Sequence, residues 1–127
     1  MCLDTVDKKI KEYKSNIGYK VMIKSGNVSY EPLYNHANSD VHRIRLGSWR
    51  TTNNIYTIRT GEQQYPAGFH IFKSLGGASY YNLWLRPFAI TKVVIVKVEY
   101  KNVRATGKQD GSNVVVARSI KILEEVK

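Results

Sequence analysis

The chain has 127 residues and a single cysteine, Cys2. One thiol cannot close an intramolecular disulfide and is too few for a Cys-based structural zinc site, so a reducing cytoplasm is the expected setting. Long apolar runs are absent too. The longest apolar block, around Val93–Val96, is strand-sized and far short of the roughly 20 residues a membrane helix needs. At the N-terminus no charged n-region is followed by an apolar h-region, and no secretory signal is expected. No GxxxxGK[ST] run accompanies Gly76-Gly77, and no helix-turn-helix, zinc-finger or RNP1-like pattern appears. Acidic residues are the other scarcity: 10 Asp and Glu stand against 20 Lys and Arg, for a formal net charge of +10.

That charge is unevenly placed. Between Lys73 and Leu123 the bases Lys73, Arg86, Lys92, Lys97, Lys101, Arg104, Lys108, Arg118 and Lys121 meet only Glu99 and Asp110. A surface of this kind attracts phosphate-bearing partners and is screened by salt. A hydrophobic fraction of 43% with regular patterning argues against disorder, and the length predicts one domain spanning residues 1–127. Nine Tyr and two Trp offer flat surfaces with polar tips, suited to an aromatic core or to base stacking.

Along residues 3–17, Leu3, Val6, Ile10, Tyr13 and Ile17 recur at spacings of three and four, which predicts an amphipathic helix capped by Asp4 or Thr5 and stopped at Gly18. From Tyr19 the period becomes two, and Ser25-Gly26-Asn27 turns the chain into a strand over Val28–Leu33. Residues 35–48 are polar and irregular. Strands follow near Ser48–Thr51 and Ile55–Arg59, then a Gly61–Gly68 loop and a short segment Phe69–Phe72. Ser74–Leu85 reads as a second helix, ended by Pro87. Lys92–Tyr100 and Asn113–Leu123 are Val/Ile-rich runs that form a long antiparallel hairpin, joined by Arg104–Ser112. The expected fold is α+β: a mainly antiparallel sheet with an N-terminal helix, one further helix and the C-terminal hairpin.

Parity isolates the candidate site residues. In the first hairpin strand Val94, Val96, Val98 and Tyr100 share a face, opposite Lys97, Glu99 and Lys101. In the second, Arg118 falls on the parity of Val114, Val116, Ile120 and Ile122. An arginine there is paired, grips an anion with its fork, or escapes through a break in the alternation. His70, between Phe69 and Phe72, is either an acid/base or a partner of a nearby carbonyl or Tyr hydroxyl. His36 and His42, with Asp40 between them, read as solvated loop residues rather than metal ligands. Cys2 would become an N-terminal nucleophile only if the initiator Met were removed, and packing at a helix end is the plainer reading. Tyr80, Tyr81, Trp84, Arg86 and Phe88, followed by Lys92, Lys97, Lys101 and Arg104, interleave aromatic and basic groups. In part these aromatics fill the core and in part the lysines protect an edge.

Met1-Cys2-Leu3, Gly68-Phe69-His70-Ile71-Phe72 and Val114-Val115-Val116-Ala117-Arg118-Ser119-Ile120 together resemble small proteins of bacterial and bacteriophage genomes, a family with no established activity. The resemblance implies no catalytic residue. A phage origin would imply antagonism of host defence, by nucleotide-signal capture or protein binding, in the host cytoplasm. The order of the Tyr19-Lys20-Val21 strand, a Phe-rich strand and an Ala-containing helix is similar to ADP-ribosyltransferase-like folds, whose acidic catalytic motif is missing here.

The function expected from these residues is non-enzymatic: a basic face or cleft holding a nucleotide or nucleic acid. Arg118, Arg104, Lys97, Lys101, Arg59 and Arg86 supply charge, Tyr80 or Tyr81 stacking, and His70 a polar contact. No cofactor, metal or catalytic residue is assigned. The alternatives are a small nucleotide- or phosphoester-acting enzyme with His70 as acid/base, and an inhibitor docking on an acidic host protein. A homo-oligomer, with the Val-rich hairpin as its edge, is compatible with each.

Overall fold

Asp110 and Gly111 set the architecture. Both adopt left-handed backbone conformations, φ 51° and 79°, the combination a two-residue type I′ hairpin turn requires. They join β9 (Val93–Gln109) directly to β10 (Ser112–Val126). The hairpin is therefore longer than its apolar runs predict, and the expected Arg104–Ser112 connection is strand up to Gln109. The computed structural model describes residues 3–32, 43–53, 56–85 and 92–127.

Each half of this hairpin has its own partners. β2 (Ile17–Lys24) pairs with the first half of β9, from Glu99 to Val93. β8 (Phe69–Phe72) pairs with the first half of β10, from Val114 to Ala117. β2 and β8 meet at Tyr19 and Phe72, which closes the ring β2–β9–β10–β8. β1 (Thr5–Val6) extends the second half of β9, and β5 (Trp49–Thr51) the second half of β10. β3 (Ser29–Pro32) and β4 (Ile44–Arg45) continue the sheet beyond β2. β6 (Thr57–Thr60) falls on the strand expected near Ile55–Arg59, and it forms a separate hairpin with β7 (Gln63–Pro66), which stands where a loop over Gly61–Gly68 is expected. Every one of these pairings is antiparallel.

The single helix among the described residues, α1 (Leu75–Leu85), is the one predicted near Ser74. Ser74 Oγ accepts the Gly77 amide at 3.1 Å and caps it. Among the described residues no helix is long and apolar enough to cross a membrane.

The N-terminal helix is not formed, and the fold is mostly antiparallel β-sheet rather than α+β with two helices. The backbone of this segment finds its hydrogen bonds on β9 instead of within itself. Asp4 N–H donates to Lys108 O at 2.8 Å, Asp7 N–H to Thr106 O at 2.9 Å and Lys11 N–H to the Thr106 hydroxyl at 2.9 Å. The apolar stripe that suggested a helix is not a buried stripe: Leu3 is fully enclosed while Ile10 is 49% exposed.

Two apolar clusters occupy opposite faces of the ring strands. One gathers Met22, Ile71, Val96, Val98, Val115, Ile120 and Ile122, with Tyr30 and Ile44 from β3 and β4. The other gathers Val21, Phe72, Ile95, Val114 and Val116, and is covered by Ala78 and Tyr81 of α1, Ile58 and Tyr65 of the β6–β7 hairpin, and Leu3. The expected core face Val94–Val96–Val98–Tyr100 is found in the first cluster. Between the halves the hairpin bends. Asn102 has φ 61°, and the register passes from Val103 opposite Ala117 to Ala105 opposite Val116, leaving Arg104 as an extra residue in β9.

Candidate functional site

The bend explains Arg118. Val114 and Val116 lie in one cluster, and Ile120 and Ile122 in the other beside Val115 and Ala117. The alternation is reset between Ala117 and Ile120, and Arg118 emerges there exposed. Its Nε donates to Thr52 O at 3.3 Å and Nη2 to Asn53 Oδ1 at 3.2 Å, so it meets a carbonyl and an amide, with no acid against it among the described residues. Arg104, the bulged residue, donates from Nη1 to Ala67 O at 2.5 Å and is half-buried. Both arginines brace the chain on either side of the β6–β7 hairpin. Arg59 stands exposed on that hairpin, opposite Gln64.

His70 is 4% exposed. Its Nδ1 lies 3.1 Å from Gly68 O and its Nε2 2.9 Å from the Tyr65 hydroxyl, so both ring nitrogens are engaged within the protein. This is the carbonyl-and-tyrosine environment of a structural histidine. Above it, Lys20 is buried from β2, and its Nζ donates to the His70 carbonyl at 2.9 Å. β2 and β8 share one residue pair, and the ammonium supplies a further bond where their ladder stops. Burial lowers the Lys20 pKa from 10.5 to about 8.

Lys97 and Lys101 lie on a different surface. β5 sets Trp49 opposite Lys121 and Thr51 opposite Ser119, and β9 sets Glu99 opposite Lys121 and Lys101 opposite Ser119. Strand alternation therefore collects Trp49, Thr51, Lys121, Glu99 and Lys101 on one face, with Lys97 next along β9. Lys101 Nζ is 4.2 Å from the Trp49 ring centroid and Lys121 Nζ 5.2 Å from it. Thr51 and Ser119 hydroxyls are hydrogen-bonded at 2.8 Å beneath them. Glu99 approaches Lys121 at 3.6 Å, a half-exposed pair of small energetic weight. Lys121 was visible in the sequence only as one of the clustered bases, and neither it nor Trp49 was among the expected site residues. The strand over Ser48–Thr51 was visible, but its pairing with β10, which brings the indole close to two lysines, was not.

Tyr80 and Tyr81 fall elsewhere again. They line a cavity of about 250 Å³ with Asp4, Gln109 and Asp110, an acidic setting. Arg86 lies outside the described residues, as do Cys2, His36, His42, Phe88 and the side chain of Trp84. The predicted residues are thus spread over several places, and the group brought together is Lys101 with Trp49 and Lys121, with Lys97 two residues beyond Glu99 on β9, opposite Glu124. Among the described residues no group of three His, Cys, Asp or Glu could hold a metal ion.

No protein-family model, curated protein or solved structure matches this chain.

Proposed function

We propose that this protein binds single-stranded nucleic acid, without catalysis, on the β5–β10–β9 face that carries Trp49, Lys101, Lys121 and Lys97. The observation that carries this reading is one indole ring with two ammonium groups close to it, at 4.2 and 5.2 Å from its centroid. An indole face stacks a base for about 1–3 kcal/mol. A lysine over an exposed ring contributes about 0.5–1 kcal/mol, so an incoming base can displace the ammonium, which then pairs with the adjoining phosphate. The excess of base over acid on the whole chain strengthens the encounter and makes it salt-dependent. A continuous strand surface with a half-buried aromatic suits unpaired bases better than a duplex, whose base faces are already stacked.

The test is fluorescence anisotropy of a short fluorescein-labelled oligonucleotide at low ionic strength. Binding should weaken steeply with salt, fall about tenfold or more in Lys101→Glu/Lys121→Glu, and stay nearly unchanged in Arg59→Glu, on the separate hairpin. No anisotropy change at low salt would remove the proposal. So would equal losses in both variants, which would mean a general basic coat.

A further inference from the structure

On a chain with twice as many bases as acids, the cavity between α1 and the turn of the long hairpin is lined by Asp4 and Asp110. We infer that it binds a primary ammonium group, the end of a lysine side chain or of a free polyamine.

Three features of its wall select that chemistry. The first is negative charge left over after folding. Asp4 spends one carboxylate oxygen on the Asp110 amide, at 2.7 Å, which holds the hairpin turn in place. The Asp110 carboxylate itself has no hydrogen bond or ion pair among the described residues, and it is exposed. The second is an acceptor without a donor. Gln109 is only 6% exposed, and its Oε1 is buried with no hydrogen-bond partner. An orphaned buried acceptor is destabilising, and an N–H donor entering the cavity beside Gln109 relieves that cost as the side chain turns to meet it. The third is aromatic surface: Tyr80 is 58% exposed at the rim and Tyr81 lies buried behind it, and tyrosine faces attract cations.

An ammonium answers all three, because it carries positive charge and three donors and no acceptor. A phosphate or carboxylate would face two carboxylates and an orphan oxygen. A hard metal ion would need more oxygen ligands than two carboxylates, one of them already committed. Lys108, the nearest lysine in sequence, is exposed where its neighbour Gln109 is buried, and on the strand's alternation points away.

The experiment is an NMR titration of the ¹⁵N-labelled full chain with spermidine and, separately, with N-acetyl-lysine methylamide, taking 5′-AMP as the anionic control. Saturable shifts at the Gln109, Asp110 and Tyr80 amides are expected with at least one amine. Spermidine alone would identify the free polyamine, and the lysine amide a side chain. Asp110→Asn should weaken binding about fivefold while keeping the turn, because asparagine tolerates its positive φ. Absence of saturable shifts with both amines, unchanged affinity in Asp110→Asn, or tighter binding of 5′-AMP to the same amides would overturn the inference.

Discussion

The Tyr65 hydroxyl donates to Nε2 of His70 at 2.9 Å, and the direction of that bond follows from its neighbours. Gly68 O can only accept, so Nδ1 carries the proton and Nε2 is the acceptor. The Tyr65 oxygen is then free to accept the Leu3 amide at 3.0 Å. One hydroxyl thus ties β7, β8 and the N-terminal segment together. Tyr65→Phe removes the hydroxyl's bonds to the Leu3 amide and to His70 Nε2 and is expected to lower stability by about 2–4 kcal/mol. Urea unfolding checks this. Oligonucleotide affinity, read on the remaining folded fraction, should not change.

Lys20 predicts a pH dependence of definite sign. Its folded pKa of about 8 lies below the ordinary 10.5 because burial disfavours the charged form. Between those values the unfolded chain binds the extra proton, so stability rises with pH from about 8 toward 10.5 and is flat in this group below 8. Lys73, lowered by burial, acts in the same direction. Tyr13, Tyr30 and Tyr100, raised chiefly by burial, oppose it above about pH 10, where they begin to titrate in the unfolded chain. Thermal melts from pH 7 to 10 should therefore climb in the native protein. In Lys20→Met, of similar volume, the rise attributable to this group, on the order of 3 kcal/mol, should vanish. A melt series with equal slopes in the two proteins contradicts the assignment.

Parity along β9 was legible because Val94, Val96, Val98 and Tyr100 obey a local rule, a pleat of period two, that needs no knowledge of partners. α1 was legible for the same kind of reason, the near-helical spacing of Leu75, Ala78, Tyr81 and Leu85 and the stop at Pro87, whereas its cap at Ser74 was not read. The segment 3–17 misled because its spacing is a helix pattern and its hydrogen-bond partners lie about a hundred residues away on β9. Helical period shows only that a helix would be amphipathic, and a waiting sheet edge outcompetes a short isolated helix, whose nucleation is costly. Asp110-Gly111 was a readable turn signal, and its weight was lost among neighbouring glycines. The candidate face was legible only as charge. Lys97 and Lys101 were chosen for their sign, whereas Trp49 and Lys121 are brought beside them by a register between β5 and β10 that no local pattern encodes.

Two glycines offer opposite outcomes for the same substitution. At Gly107, paired with Val6 on one side and Val114 on the other, a Cβ would overlap the Thr5 carbonyl oxygen and crowd Leu3 Cδ1 at 3.0 Å. The obstacle is backbone, so β1 must move, and Gly107→Ala is expected to cost about 1–3 kcal/mol. At Gly76, within α1, nothing lies within 4 Å of the new methyl group. Gly76→Ala should stabilise by about 0.5–1 kcal/mol through helix propensity alone. Urea midpoints for the pair should move in opposite directions.

Lys73 is the fastening of the irregular segment that replaces the expected N-terminal helix. Its ammonium donates to Ser15 O at 2.9 Å, Ile17 O at 2.7 Å and the Tyr100 hydroxyl at 3.0 Å. It also sits 4.8 Å from the Tyr13 ring centroid and 4.9 Å from that of Tyr100. Between β1 and β2 the segment buries little apolar surface of its own, with Ile10 half exposed, so these contacts carry much of its order. Lys73→Met keeps the stem and removes the donors. Hydrogen exchange at the Lys11 amide, bonded to the Thr106 hydroxyl, should then accelerate about tenfold or more. The Val96 and Val98 amides, deep in β9, should slow or quicken only as far as global stability shifts. Uniform acceleration at both places would show that Lys73 supports the whole sheet, and an unchanged Lys11 amide would show that it does not hold this segment.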